Sequence, residues 1–304
     1  MTAVTRPGEP PAARALGAAA LAVGACAGVA SLWLMRGGRG EPSPPTTGPV
    51  RGLYGAAALL ALSVLADSAI EHDRGEFRNP GMFTPLVTAG VTVAAAVGEM
   101  ARERRGADLA YATAVGIGVG GLAFHLFNLL KRPGRLTWHN LFYAAPIGAP
   151  AALSLAGVLG LAARRVRRGW LGAGGALAGL SAIGLAGTVG EAGLLHFRGA
   201  FQNPLMWLPV SLPPVGAALL ASAAHDGGPG ERRFTRLWLA LTAALGLGGV
   251  GLHIFGVSRA MGGWRNWRQN LIDGPPIPAP PAFTALSLAG LSALALQRRE
   301  MGAA

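Results

Sequence analysis

Nine apolar runs follow one another along this chain, each about as long as a bilayer is thick. They cover residues 12–35, 52–71, 82–100, 107–130, 141–163, 169–196, 205–224, 237–257 and 277–296. A membrane span takes roughly 20 apolar residues, and inside lipid only a helix or a closed barrel satisfies its own backbone. Runs of this length read as helices. Charged residues make up 13% of the 304 positions, half of the roughly 25% usual in soluble domains. The sequence therefore predicts an all-α, polytopic integral membrane protein with nine transmembrane helices. A net charge of +12 would suggest nucleic acid in a soluble protein. Here the arginines sit in short clusters between apolar runs, as they do in loops flanking membrane helices, so the partner they indicate is the lipid bilayer and not nucleic acid. The single cysteine, Cys26, excludes a disulfide, an iron–sulfur cluster or a cysteine zinc site within one chain.

A second feature divides the runs into two sets. His72-Asp73-Arg74-Gly75-Glu76-Phe77-Arg78-Asn79-Pro80-Gly81-Met82, with Pro85 behind it, returns as His196-Phe197-Arg198-Gly199-Ala200-Phe201-Gln202-Asn203-Pro204-Leu205-Met206, with Pro209 behind it. The shared pattern is H-x-R-G-x-F-x-N-P-x-M-x-x-P at a constant offset of 124. Downstream, His125 aligns with His253, Asn140 with Asn270, Pro146 with Pro276, and Ala152–Gly157 with Ala285–Gly290. The expected organisation is an N-terminal helix and Pro/Gly linker (1–50), a first four-helix repeat (51–168) and a second (169–304). The first run is too long for a typical signal-peptide core and reads as a helix. Four helices per unit is an even number, so the two units are parallel repeats related by an axis along the membrane normal. Counting Lys and Arg on alternate sides gives 11 against 15. The richer side is expected to be cytoplasmic, which sets the N-terminus outside, the C-terminus inside and both signature loops outward, in a multi-pass protein of the cell membrane.

The chemistry concentrates on the repeated positions. Asn79 and Asn203 suit helix caps, with Pro80 and Pro204 at the first helical position, and Pro85 and Pro209 are expected to bend the helices that follow. His72 and His196 end the second and sixth runs, while His125 and His253 lie in the fourth and eighth. All four fall at a similar depth, one pair per repeat. Ionisable residues inside membrane segments are costly and usually face a bundle interior or polar cavity. Two histidines on separate helices suit the two axial positions of a haem b, or another metal, and Arg74 and Arg198 could pair with the propionates. Asp67 and Glu191 share one repeat position, five residues before each histidine, and suit proton transfer or a quinol hydroxyl. Met82 and Met206 read as packing ahead of soft ligation. Glu99 is expected to snorkel to the surface. The chain lacks G-x-x-x-x-G-K-[ST], H-E-x-x-H, G-x-S-x-G and C-x-x-C, which removes several enzyme classes.

These features predict a membrane electron-transfer protein that exchanges electrons between quinol and an outer-face redox partner, with an oxidoreductase membrane subunit as its enzymatic form. The alternative is a proton-coupled or metal-ion transporter or channel with its site between the repeats. A third reading is a colourless structural membrane subunit.

Overall fold

The computed structural model describes residues 47–144, 146–169, 172–226 and 232–302. The run at 12–35, the linker up to residue 46 and Cys26 lie outside the described residues. Among those described the fold is all helix and short 3-10 turns, with no strand. In chain order the helices are α1 Thr47–Arg74, α2 Thr84–Ala101, α3 Ala107–Lys131, α4 Trp138–Tyr143, α5 Gly148–Arg167, α6 Ala173–Arg198, α7 Leu208–Asp226, α8 Arg232–Arg259, α9 Trp267–Asp273 and α10 Pro281–Gly302. Seven of them, α1 to α3 and α5 to α8, are long and apolar enough to cross a membrane, so the chain has the form of a multi-pass membrane protein. The eighth long helix, α10, packs against α1, α6 and α8 and is largely buried among them.

Three boundaries differ from the apolar runs. α1 starts at Thr47, inside the stretch that reads as linker, with Pro49 in its first turn, where no backbone hydrogen bond is lost. The run at 141–163 is two helices. The buried Asn140 side chain donates to Pro133 O and Arg135 O at 3.0 and 2.8 Å, tying α4 into the preceding turn, and Pro146 precedes the restart at Gly148. Pro85 and Pro209 do not bend helix interiors. Each stands in the first turn of its α-helix, behind a 3-10 turn at Pro80–Phe83 or Pro204–Trp207.

Packing closes the helices into two rings. α1, α2, α3 and α5 contact one another in that cyclic order, and α6, α7, α8 and α10 do the same. α1 and α3 are thus diagonal in one ring, and α6 and α8 in the other. The rings meet where α1 packs on α10 and α5 on α6. Close contact depends on small residues: a Cβ on Gly118 would collide with Pro150 O and Ser154, and one on Gly246 with Pro280 O and Thr284. Ser154 donates to Val115 O at 3.3 Å and Thr284 to Ala243 O at 2.7 Å, so α3/α5 and α8/α10 are pinned at corresponding places.

At the end of the molecule away from the signature loops, Glu99 is buried and does not snorkel. Arg164 meets its carboxylate at 2.7 Å, Arg167 also pairs with it, and the Tyr54 hydroxyl donates to it at 2.8 Å. Arg164 reaches Asp108 as well, at 2.6 Å, and Arg168 pairs with Glu103 at 2.7 Å. A buried charge persists only when it is paired and hydrogen-bonded, and here it is both. At the matching places in the other ring stand Ala178, Ala223 and Gln297, and Gln297 donates its amide to Ala223 O at 2.8 Å. Among the described residues, the first ring carries a buried ion-pair network here, whereas in the other Gln297 makes a neutral hydrogen bond and Glu300, in the place of Arg167, accepts from Gly174 N–H at 3.1 Å.

Candidate functional site

Each signature loop is a rigid reversal that grips a histidine. The chain leaves α1 through two non-glycine residues in the left-handed region, Glu76 (φ 57°) and Phe77 (φ 46°), and leaves α6 through Ala200 (φ 55°) and Phe201 (φ 46°). Such residues cost of order 1–3 kcal/mol each and persist only where the surroundings over-determine them. The surroundings here are identical in kind. Phe77 N–H closes onto His72 O at 3.0 Å and Phe201 N–H onto His196 O at 3.1 Å. Asn79 Oδ1 accepts from Gly81 N–H at 2.9 Å, and Asn203 Oδ1 from Leu205 N–H at 3.0 Å, so the asparagines cap the 3-10 turns. Phe77 stands edge-on to His72 and stacks on Phe83, with centroids 4.5 Å apart. Phe201 does the same with His196 and with Trp207, at 4.1 Å. Gly75 and Gly199 leave room for the methyl ends of Met82 and Met206, so these thioethers pack against the loop.

The turns aim backbone carbonyls at the imidazoles. His72 Nδ1 lies 2.6 Å from Met82 O and His196 Nδ1 2.8 Å from Met206 O. On the diagonal helices, His125 Nδ1 lies 2.5 Å from Pro146 O and His253 Nδ1 2.7 Å from Pro276 O. A carbonyl oxygen can only accept, so every Nδ1 must carry the proton and every Nε2 keeps its lone pair when the ring is neutral. His125 lies within electrostatic reach of His72, and His253 within reach of His196. His72 and His125 thus stand on diagonal helices of one ring, and His196 and His253 on diagonal helices of the other.

Arg74 and Arg198 make reciprocal contacts between the rings. Arg74 donates to Ile272 O in α9 and pairs with Glu71 at 3.2 Å. Arg198 donates to Phe142 O in α4 at 3.1 Å. A guanidinium has five N–H donors, so both retain capacity for an anion at the surface. Asp67 and Glu191 do not touch the imidazoles, whose Nδ1 positions are held by carbonyls. They lie instead within electrostatic reach of each other and of Glu71, between α1 and α6, the diagonal pair of the central ring α1–α5–α6–α10. Glu191 accepts the Gly148 N–H at the start of α5, and its carboxylate fills the space that a Cβ on Gly148 would need.

Among the described residues no cluster of three or more His, Cys, Asp and Glu side chains is arranged to hold a metal ion. Each ring offers two imidazoles, fewer ligands than a bare zinc ion takes. Sequence reasoning missed the Glu99–Arg164 network and the role of Asn140 and Asn270, whose buried amides each hold two turn carbonyls. The repetition of Asn140 as Asn270 was the signal for the latter. Comparison of the chain with protein-family models, curated proteins and solved structures finds no match.

Proposed function

We propose that the chain is a membrane-embedded electron-transfer protein of two tandem four-helix units, each holding one haem b: between His72 and His125 in the first, and between His196 and His253 in the second. One observation carries the reading. Four imidazoles, paired across the diagonals of two helix rings, all commit Nδ1–H to a backbone carbonyl and keep Nε2 for a ligand bond. Iron-ligating histidines are held by this kind of outer contact, which fixes the tautomer and raises ligand basicity. The matched loops, glycine contacts and turn asparagines support the tandem arrangement.

Haem iron supplies one-electron transfer. The protein's residues supply the rest. His72, His125, His196 and His253 would hold the iron through Nε2, the remaining guanidinium donors of Arg74 and Arg198 would neutralise the propionates, and Asp67 and Glu191 would take the two protons that quinol releases with its two electrons. The signature face carries fewer Lys and Arg and is assigned outside, where the redox partner docks. A proton-coupled or metal-ion transporter is the second reading, favoured by the approach of Asp67 and Glu191 between the rings.

The test is haem content by haemochrome assay on protein expressed with ample haem. The electron-transfer reading expects about two haems per chain, falling to about one in either His72→Ala or His196→Ala, since each haem needs two axial ligands. Unchanged content in both variants, or none in the parent, contradicts it.

A further inference from the structure

The two ring-to-ring junctions on the signature face occupy corresponding places but differ in chemistry. At the first, α4 meets the end of α6. Trp138 and Phe142 stack with centroids 5.8 Å apart and planes 20° from parallel, and Phe142 stacks on Phe197 at 5.8 Å and 27°. His139 and Tyr143 lie beside this column with centroids 5.0 Å apart, and the Arg198 guanidinium sits 5.7 Å from the Tyr143 centroid. At the second junction, α9 meets the end of α1. The corresponding residues are Arg268, Gln269, Ile272, Asp273 and Asp73, and Arg268 pairs with Asp73 at 3.3 Å. All five ring-bearing positions of the first junction are ringless in the second.

The column and its neighbour open outward from the protein: Trp138 is 42% exposed and Phe197 64%, and Tyr143 beside them 58%. Aromatic residues that only anchor a protein at the bilayer surface have no need to stack in series across two units. A stacked series whose end residues are exposed fits a flat π-system laid against it, and the imidazole of His139 and hydroxyl of Tyr143 provide hydrogen-bond donors at its edge. Phe197 is also the chain neighbour of His196. We propose that this α4/α6 junction is a binding site for the head group of a quinone entering from the membrane, and that the Arg268–Asp73 junction is not. The inference rests on the electron-transfer reading, whose small-molecule partner it locates.

The experiment measures saturable binding of decylubiquinone to the full chain in nanodiscs, with empty nanodiscs subtracted and an absorption spectrum of the same samples. The parent is expected to bind one equivalent. Trp138→Arg/Phe197→Asp, which installs the charged pair of the other junction, is expected to weaken binding by about tenfold or more, the scale of losing an aromatic stack. Tyr143→Phe, which keeps the ring, is expected to weaken it less. Asp73→Ala/Arg268→Ala, at the other junction, is expected to leave it unchanged. Absence of saturable binding by the parent, equal binding by the Trp138/Phe197 variant, or equal loss in the Asp73/Arg268 variant overturns the site. A colourless protein that binds quinone with this pattern supports the site while sinking the haem reading. A haem protein without quinone binding does the reverse.

Discussion

At the scale of single residues, the signature motif is an apparatus for holding one imidazole. The glycine admits the methionine, the asparagine caps the turn, and the turn points the methionine carbonyl at Nδ1. The repeated histidines, methionines and prolines were legible in the sequence, because each recurs at a fixed or slowly drifting offset. Their connections were not, because the acceptors are backbone carbonyls, which no residue letter identifies. The buried charges were equally hidden, since Glu99 and Arg164 meet across 65 positions of chain. The buried Glu99 carboxylate is shared by Arg164, Arg167 and the Tyr54 hydroxyl, so its loss leaves all three short of an acceptor. Glu99→Ala is therefore expected to destabilise the protein by about 3–5 kcal/mol. Glu99→Ala/Arg164→Gln, which copies Ala223 and Gln297, is expected to recover most of that loss. Thermal unfolding in detergent measures both, and a double variant less stable than the single one would show that the neutral arrangement does not transfer to the first ring.

Among elements, helix ends explain most of what the apolar runs predicted poorly. Leu141, Phe142 and Tyr143 are as apolar as the helix that follows, so hydropathy joins α4 to α5, whereas Asn140 and Pro146 separate them. The start of α5 depends on a carboxylate from another helix. Gly148→Ala is expected to displace Glu191 and lower stability, whereas Gly148→Ala in a Glu191→Ala background is expected to cost little further, because the collision is gone. Equal losses in both backgrounds would remove Glu191 from that role. The asparagine turns provide a second check at this scale. Asn140→Ala and Asn270→Ala each strip two hydrogen bonds that a buried amide makes to turn carbonyls, and each is expected to cost about 1–3 kcal/mol in the same unfolding experiment.

At the scale of the whole molecule, two rings share a central set of four helices and place Asp67 opposite Glu191 between α1 and α6. The length of the apolar runs made the membrane-spanning helices legible, and the constant offset of 124 made the correspondence between loops legible. The convergence of the two carboxylates was not, because it depends on which helices of the two units face each other. Under the electron-transfer account, Asp67→Asn and Glu191→Gln are expected to slow quinol oxidation while leaving haem content unchanged, as assayed by stopped-flow reduction. Loss of haem in these variants would assign the carboxylates a structural role. In the electron-transfer reading, paired histidines hold haem. The most direct measurement is the absorption spectrum of the purified protein, oxidised and then reduced with dithionite. A Soret band with sharp reduced α and β bands, lost stepwise in His125→Ala and His253→Ala, is the predicted result. A colourless protein from haem-replete cells would contradict it.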